Sequence, residues 1–211
     1  MSKSAAQPAS RYDVHPGVAM VQKWIAELKP KTGRTLEEWI SLVQKSGPKD
    51  YSERRAWLKS KHNLGTNSAW WIAERAGGKG GEEDNPERYL VTAAKYVDDQ
   101  YSGRKAAMRP MFEKLLILAK SIAPDVKACP CKSMVPLYRN HVFAQIKPTT
   151  NSRIDFGLCF TNYKGRLPKH LVDTGGLAKK DRITHRIELT SPLQIDAELE
   201  KWLRAAYHLD A

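Results

Sequence analysis

The chain of 211 residues is 41% hydrophobic and 27% charged, a composition typical of a globular protein that excludes disorder and a disulfide-stapled miniprotein. Its longest apolar run, Leu115 to Ala119, is far shorter than the ~20 residues of a membrane span, so we expect no membrane association. The 35 basic and 23 acidic residues give a net charge of +12, which favours polyanionic partners.

The N-terminal residues 1–13 are mostly small and polar, and we expect them to form a disordered tail. This stretch lacks the apolar segment of a signal peptide, and the chain has only 3 cysteines. We therefore expect a cytoplasmic protein with reduced thiols.

Helix signals divide residues 14–76 into four amphipathic segments, which predict a helical domain. The first three segments begin near Pro16, Thr35 and Asp50, and Thr66 or Asn67 is expected to cap the fourth, Ser68–Ala76. Thr35 and Glu38 have the spacing of a capping box, and Pro30 is expected to end the first helix. The third and fourth segments flank a turn at Gly65, as in a DNA-binding helix-turn-helix, but the adjacent Trp70 and Trp71 disfavour a groove-reading face.

Residues 77–85 are rich in glycine and acidic side chains, which predicts a linker between two domains. Residues 86–211 then form the second domain. Its first two helices are expected at Pro86–Tyr101 and Pro110–Ile122, after which the hydrophobic period changes to two.

The alternating segments predict strands at 133–138, 141–147, 153–160 and 183–190. Val142, Ala144 and Ile146 are expected on one face of the second of these strands. A long loop is expected over residues 163–181, and Ser191 is expected to cap a terminal helix. The fold class is therefore α+β, with an N-terminal helical domain and a C-terminal antiparallel sheet with packed helices.

Several segments are familiar as sequence motifs. The segments TGRTLEEWISLVQKSG and AWLKSKHNLGTNSAWWIAERAG resemble a small helical bacterial domain of unknown function. In the second half, YSGRKAAMRPMFEKL, THRIEL and AELEKWLRAAY resemble an uncharacterised α+β domain that follows such helices. That half is also similar in architecture to the frataxin-homolog-like iron-chaperone group. The resemblance implies a two-domain fold and no particular activity.

No catalytic or metal-binding motif stands out in the sequence. Cys129 and Cys131 form one C-x-C pair without the second pair that a closed zinc site needs, so we predict no metal and no cofactor. No nucleophile elbow or histidine pair at helical spacing is present, so we predict no catalytic residues. An enzyme with an unrecognised site and an intracellular metal or small-molecule carrier remain alternatives.

The predicted sheet carries the most informative polar residues. If the apolar residues of its strands face the core, the alternation places Arg153 and Arg186 on the other face, together with Asp155 and Glu188. The candidate anion-binding set is Lys132, Arg139, Lys147, Arg153 and Arg186. A solvated face with cross-strand ion pairs is the alternative. The sequence thus predicts a noncatalytic binding protein for an anionic ligand, either nucleic acid or a phosphorylated small molecule.

Overall fold

The computed structural model describes residues 10–211. These residues divide into two compact units. The helical unit comprises His15–Tyr89, and the sheet unit comprises the residues up to Val14 together with Leu90–Ala211. Nine residues of the predicted tail, 1–9, lie outside the described part of the chain.

Four helices make up most of the helical unit. They are α1 (Pro16–Thr32), α2 (Leu36–Ser46), α3 (Tyr51–His62) and α4 (Thr66–Ala76). Their apolar stripes meet in one core, in which Trp39, Leu58 and Ile72 are almost completely buried. This confirms the amphipathic pattern of the sequence. Trp71 contacts Trp24 edge-on at the rim of this core, with 4.8 Å between the ring centroids.

The capping box of α2 is present as predicted. The Glu38 amide donates to the Thr35 hydroxyl at 3.2 Å, and the Thr35 amide donates to the Glu38 carboxylate at 2.7 Å. Asp50 caps α3 in a related way, because its Oδ1 accepts from the amides of Ser52 and Glu53. These bonds satisfy amides that have no partner within their own helices.

Two expected helix boundaries are wrong. Pro30 does not end α1, since the following residues complete its last turn and the Gly33 amide donates to the Lys29 carbonyl at 2.8 Å. A proline removes only its own N–H, so a final turn that is closed by later residues tolerates it. Neither Thr66 nor Asn67 caps α4, because the Gly65 carbonyl already accepts from the amide of Ala69.

The glycine-rich segment 77–85 packs on the helical unit. Asp84 forms an ion pair with Arg75, whose side chain is only 8% exposed, and Gly81 is buried. The helix α5 (Pro86–Gln100) follows directly, and the division between the two units falls within it, after Tyr89. The domain boundary at 77–85 stays a prediction.

The sheet unit contains a six-stranded antiparallel sheet in the order β1-β2-β3-β4-β6-β5. The strands are β1 (Lys127–Ala128), β2 (Val135–Tyr138), β3 (Val142–Pro148), β4 (Ile154–Leu158), β5 (Val172–Asp173) and β6 (His185–Leu189). The helices α6 (Arg109–Ser121) and α7 (Ala197–Leu209) accompany it, with a 3₁₀ helix at Gly103–Met108. The α+β fold class is therefore confirmed. None of the helices between residues 10 and 211 combines the length and apolar character needed to cross a bilayer.

The buried face of the sheet follows the predicted alternation in β4 and β6. Phe156 lies opposite Ile146 on one side and Ile187 on the other, and all three are buried. The alternation fails at the start of β3, where the register with β2 shifts by one residue. Because of this irregularity Phe143 is buried and contacts Tyr207 of α7, whereas Val142 is only half-buried.

The expected cap of the terminal helix is displaced. Ser191 caps a separate 3₁₀ turn at Pro192–Gln194, and α7 begins only after Asp196, whose Oδ1 accepts from the amides of Glu198 and Leu199. The expected long loop at 163–181 contains the short strand β5, which pairs with β6. A two-residue strand gives no measurable alternation in the sequence.

The described residues that precede the helical unit are anchored in the sheet unit. Tyr12 is buried, and the Asp13 amide donates to the Ala128 carbonyl at 2.9 Å. The Asp13 carboxylate accepts from the Ala128 amide at 2.8 Å and from Lys120 at 2.7 Å. Within the helical unit, the rings of its first and last residues, His15 and Tyr89, have centroids 6.0 Å apart.

Candidate anion-binding site

The structure separates the five predicted cations into three groups. Arg153 and Arg186 lie on the sheet face that carries Asp155 and Glu188. The two lysines, Lys132 and Lys147, line a cleft at one end of the sheet, and Arg139 lies at the opposite end of β2 from Lys132.

The two arginines of the first group belong to a set of four charges in or next to β4 and β6, which we call the ion-pair quartet (Arg153, Asp155, Arg186 and Glu188). Arg153 Nε lies 2.9 Å from Asp155 Oδ1, without hydrogen-bond geometry, and its Nη1 lies 3.2 Å from Glu188. Arg186 Nη2 donates to Glu188 at 2.8 Å, and its Nε lies 3.7 Å from Asp155. The hydrogen bond from Arg186 holds the pKa of Glu188 below its usual value.

The register of the sheet explains this arrangement. Asp155 lies directly opposite Glu188, and the alternation of side chains along β6 places Arg186 on the same face as Glu188, two residues away. Two carboxylates side by side would repel each other, and the two arginines offset that repulsion. The quartet is internally neutral, so both arginines already have anionic partners.

Arg139 stabilises the packing of α7. Its guanidinium lies 4.4 Å from the centroid of the Tyr207 ring and donates to the Tyr207 carbonyl at 3.3 Å. Its Nε lies 3.5 Å from Asp125, which also accepts a 2.6 Å hydrogen bond from the Tyr207 hydroxyl. The structure therefore does not bring Arg139 together with the other predicted residues.

The lysine cleft, as we name it, has a volume of about 370 Å³ and is lined by Lys105, Lys132 and Lys147. Ser133 and Gln100 line it too. Within residues 10–211 none of the three lysines has a carboxylate within 4.0 Å, whereas the only acid of the lining, Asp99, pairs with Lys95 at 2.6 Å. The cleft therefore has a surplus of positive charge.

Sequence reasoning missed two residues of this cleft. Lys105 lies in the 3₁₀ helix before α6, and its ammonium donates to the Pro148 carbonyl at 2.6 Å. The Gln100 amide group donates to the Cys131 carbonyl at 2.7 Å, while its Oε1 is buried and accepts no hydrogen bond from the described residues. Neither residue belongs to a periodic pattern, so only the contacts between distant segments show their place.

A second, smaller cleft adjoins the first through Lys147. It has a volume of about 180 Å³ and includes Lys179 and Asp181 from the loop that covers β4. The loop approaches closely because Gly157 has no side chain: a Cβ there would lie 2.6 Å from Ile183 Cγ2. Asp155 and Asp181 balance much of the positive charge in this smaller cleft.

The cysteines do not assemble into a metal centre. Cys129 is buried, and burial raises the pKa of its thiol to about 12, so it carries a proton at neutral pH. Cys159 is buried directly after the end of β4, and all three cysteines are free thiols. In the part of the chain that the structure covers, no group of three or more potential ligands is arranged to hold a metal ion.

Comparison with known proteins agrees with the two-part architecture. The chain is an α+β protein with a helical unit, and its residues 97–210 match the family model of a domain of unknown function (DUF5655). This match covers more than half of the chain, which therefore belongs to that family. Residues 20–76 match a second domain of unknown function (DUF4287), which confirms the expected two-domain resemblance. No curated protein and no solved structure matches the chain.

Proposed function

We propose that the sheet unit binds a small phosphorylated ligand in the lysine cleft and acts as a binding protein rather than an enzyme. The observation that carries the proposal is the contrast between the two sets of cations. The arginines of the quartet have carboxylate partners, whereas Lys105, Lys132 and Lys147 share one cleft without any among the described residues. Lysines that face one another without counterions repel, so an anion between them stabilises the arrangement.

The chemistry of the lining favours a phosphate ester over a simple anion. Lysine ammonium groups bind phosphate as point charges, and the Ser133 hydroxyl adds a neutral donor. The volume of about 370 Å³ is that of a pocket for a small molecule.

Nucleic acid is the competing polyanion, because the chain has a net charge of +12. Its binding extends over many phosphates and weakens steeply as salt increases. A cleft with three lysines limits the number of contacts, so a small ligand should show a shallower salt dependence. In this proposal the protein acts in the cytoplasm, which suits its three free cysteines.

The test is isothermal titration of the full chain with glycerol 3-phosphate, which offers both a phosphate and hydroxyl groups. We expect Lys132→Ala combined with Lys147→Ala to weaken binding at least about tenfold, since each lost charged hydrogen bond costs about 1.5–3 kcal/mol. The matched control is Lys169→Ala, an exposed lysine of the same unit outside the cleft, which should leave the affinity unchanged.

Four outcomes decide the proposal. Loss of binding in the double variant with an unchanged control supports it. Equal affinity in both variants, or no binding by the wild-type chain at low salt, contradicts it. A duplex oligonucleotide that binds with a steep salt dependence through Lys132 and Lys147, while glycerol 3-phosphate does not bind, also contradicts it and assigns the cleft to nucleic acid.

A further inference from the structure

The helical unit has a cleft of its own, at the point where α3 begins and α4 ends. It has a volume of about 400 Å³ and is lined by three cations, Lys49, Arg54 and Lys79, together with Tyr51 and Glu74. All of these residues lie within His15–Tyr89, so the cleft belongs to one compact unit. We call it the α3–α4 cleft.

Three cations line this cleft against one carboxylate. Within the described part of the chain, Lys49, Arg54 and Lys79 have no carboxylate within 4.0 Å, although 18 ion pairs occur elsewhere in the structure. Glu74 is likewise without a cationic partner there. The cleft therefore keeps both a positive charge surplus and one free acceptor.

Arg54 is held in a fixed orientation. Its Nε donates to the Pro48 carbonyl at 2.8 Å, which leaves the two terminal nitrogens of the guanidinium for another partner. Gly77 makes room for this group, since a Cβ at that position would lie 2.9 Å from Arg54 Nη1. A planar pair of donors that is already oriented matches the oxygens of a phosphate group.

Tyr51 and Glu74 add features that a simple phosphate site does not need. Tyr51 lines the cleft and is 37% exposed as a residue, and the Arg55 guanidinium lies 5.6 Å from the centroid of its ring. An exposed ring beside cations is the arrangement on which nucleobases stack in many proteins. The Glu74 carboxylate lines the same cleft, and a carboxylate accepts hydrogen bonds from the amino group of a base.

From these contacts we propose that the α3–α4 cleft binds a nucleotide unit, with its phosphate on Lys49, Arg54 and Lys79 and its base stacked on Tyr51. Glu74 accepts from the exocyclic amine of the base. The volume of about 400 Å³ accommodates one such unit. The site lies in a different unit from the lysine cleft and does not depend on the proposed function.

The experiment separates the contributions of phosphate and base. The full chain is titrated with AMP, ribose 5-phosphate and adenosine at low salt. We expect AMP to bind at least about tenfold more tightly than ribose 5-phosphate, because base stacking on an aromatic side chain contributes about 1–3 kcal/mol. Tyr51→Ala should remove this difference, whereas Tyr51→Phe should keep it.

Charge variants locate the site within the chain. Lys49→Ala combined with Lys79→Ala should weaken AMP binding at least about tenfold. Lys59→Ala removes the same kind of charge from the exposed side of α3 and should change the affinity by less than about twofold. Repeating these titrations on the Lys132→Ala and Lys147→Ala double variant removes phosphate binding by the lysine cleft, and the preference for AMP over ribose 5-phosphate should persist there.

The nucleotide can come from free solution or from a single strand, and an eight-residue oligodeoxyadenylate distinguishes these sources. Binding of AMP assigns the site to free nucleotides, and binding of the oligonucleotide alone assigns it to a strand; either supports the site if Lys49 and Lys79 are required. The inference is overturned if neither probe binds, if the Lys49 and Lys79 double variant binds as tightly as Lys59→Ala, or if AMP binds but no more tightly than ribose 5-phosphate.

Discussion

The ion-pair quartet should stabilise the sheet, and Asp155→Asn tests this directly. Asp155 is the common partner of both arginines and also accepts from the Thr149 hydroxyl at 2.8 Å. Loss of one partner of a fully buried charge pair costs about 3–5 kcal/mol. The Asp155 side chain is 12% exposed, but those of Arg153 and Arg186 are 27% and 30% exposed and retain Glu188. We therefore expect a smaller loss, about 2 kcal/mol of unfolding free energy.

Urea denaturation at pH 7, followed by tryptophan fluorescence, measures this loss. The matched control is Glu198→Gln, because Glu198 is an exposed carboxylate of the same unit that lies 3.5 Å from the His170 imidazole and outside the quartet. The control should change stability by less than about 0.5 kcal/mol. If Asp155→Asn changes stability as little as the control, the quartet does not stabilise the sheet.

Three further predictions concern the interior. His62 lies edge-on to two tryptophans, and burial lowers the pKa of its imidazole. The unfolded chain therefore binds a proton more readily than the folded chain. Urea denaturation curves should show the free energy of unfolding falling as the pH drops below ~6.5. Gly157→Ala should lower the unfolding free energy by about 1–3 kcal/mol, because its Cβ would lie 2.6 Å from Ile183 Cγ2. Iodoacetamide at pH 8, followed by mass spectrometry, should modify Cys129 more slowly than the half-buried Cys131, since burial raises the pKa of Cys129 to about 12.

Sequence patterns predicted the regular parts of the fold because hydrophobic period and capping residues act locally. The Thr35 and Glu38 box shows this, since both of its bonds lie within four residues. The prediction that was wrong at the start of β3 depends on contacts with other segments of the chain. Phe143 is buried because the strand pairing shifts beside it, and no property of residues 141–147 alone indicates that shift.

The candidate site was only partly predictable for the same reason. Alternation correctly placed the four charges of the quartet on one face, but it could not show that Arg153 and Arg186 already have carboxylate partners at 2.8–3.7 Å. Lys105 lies in the same cleft as Lys147 because its ammonium donates to the carbonyl of Pro148, which is 43 positions further along the chain. Such contacts depend on the tertiary structure, which a single sequence does not reveal.

The return of Asp13 to β1 affects how the chain folds. Its bond to Ala128 joins residues 115 positions apart, and closing a loop of that length is entropically costly. The helical unit lies within this loop, and its first and last rings are 6.0 Å apart. Once the helical unit has folded through its mostly local contacts, the loop is shorter by that whole unit, and each halving of its length saves about 0.6 kcal/mol. Formation of the helices between positions 15 and 89 should therefore accelerate completion of the sheet, although all six of its strands lie after residue 126.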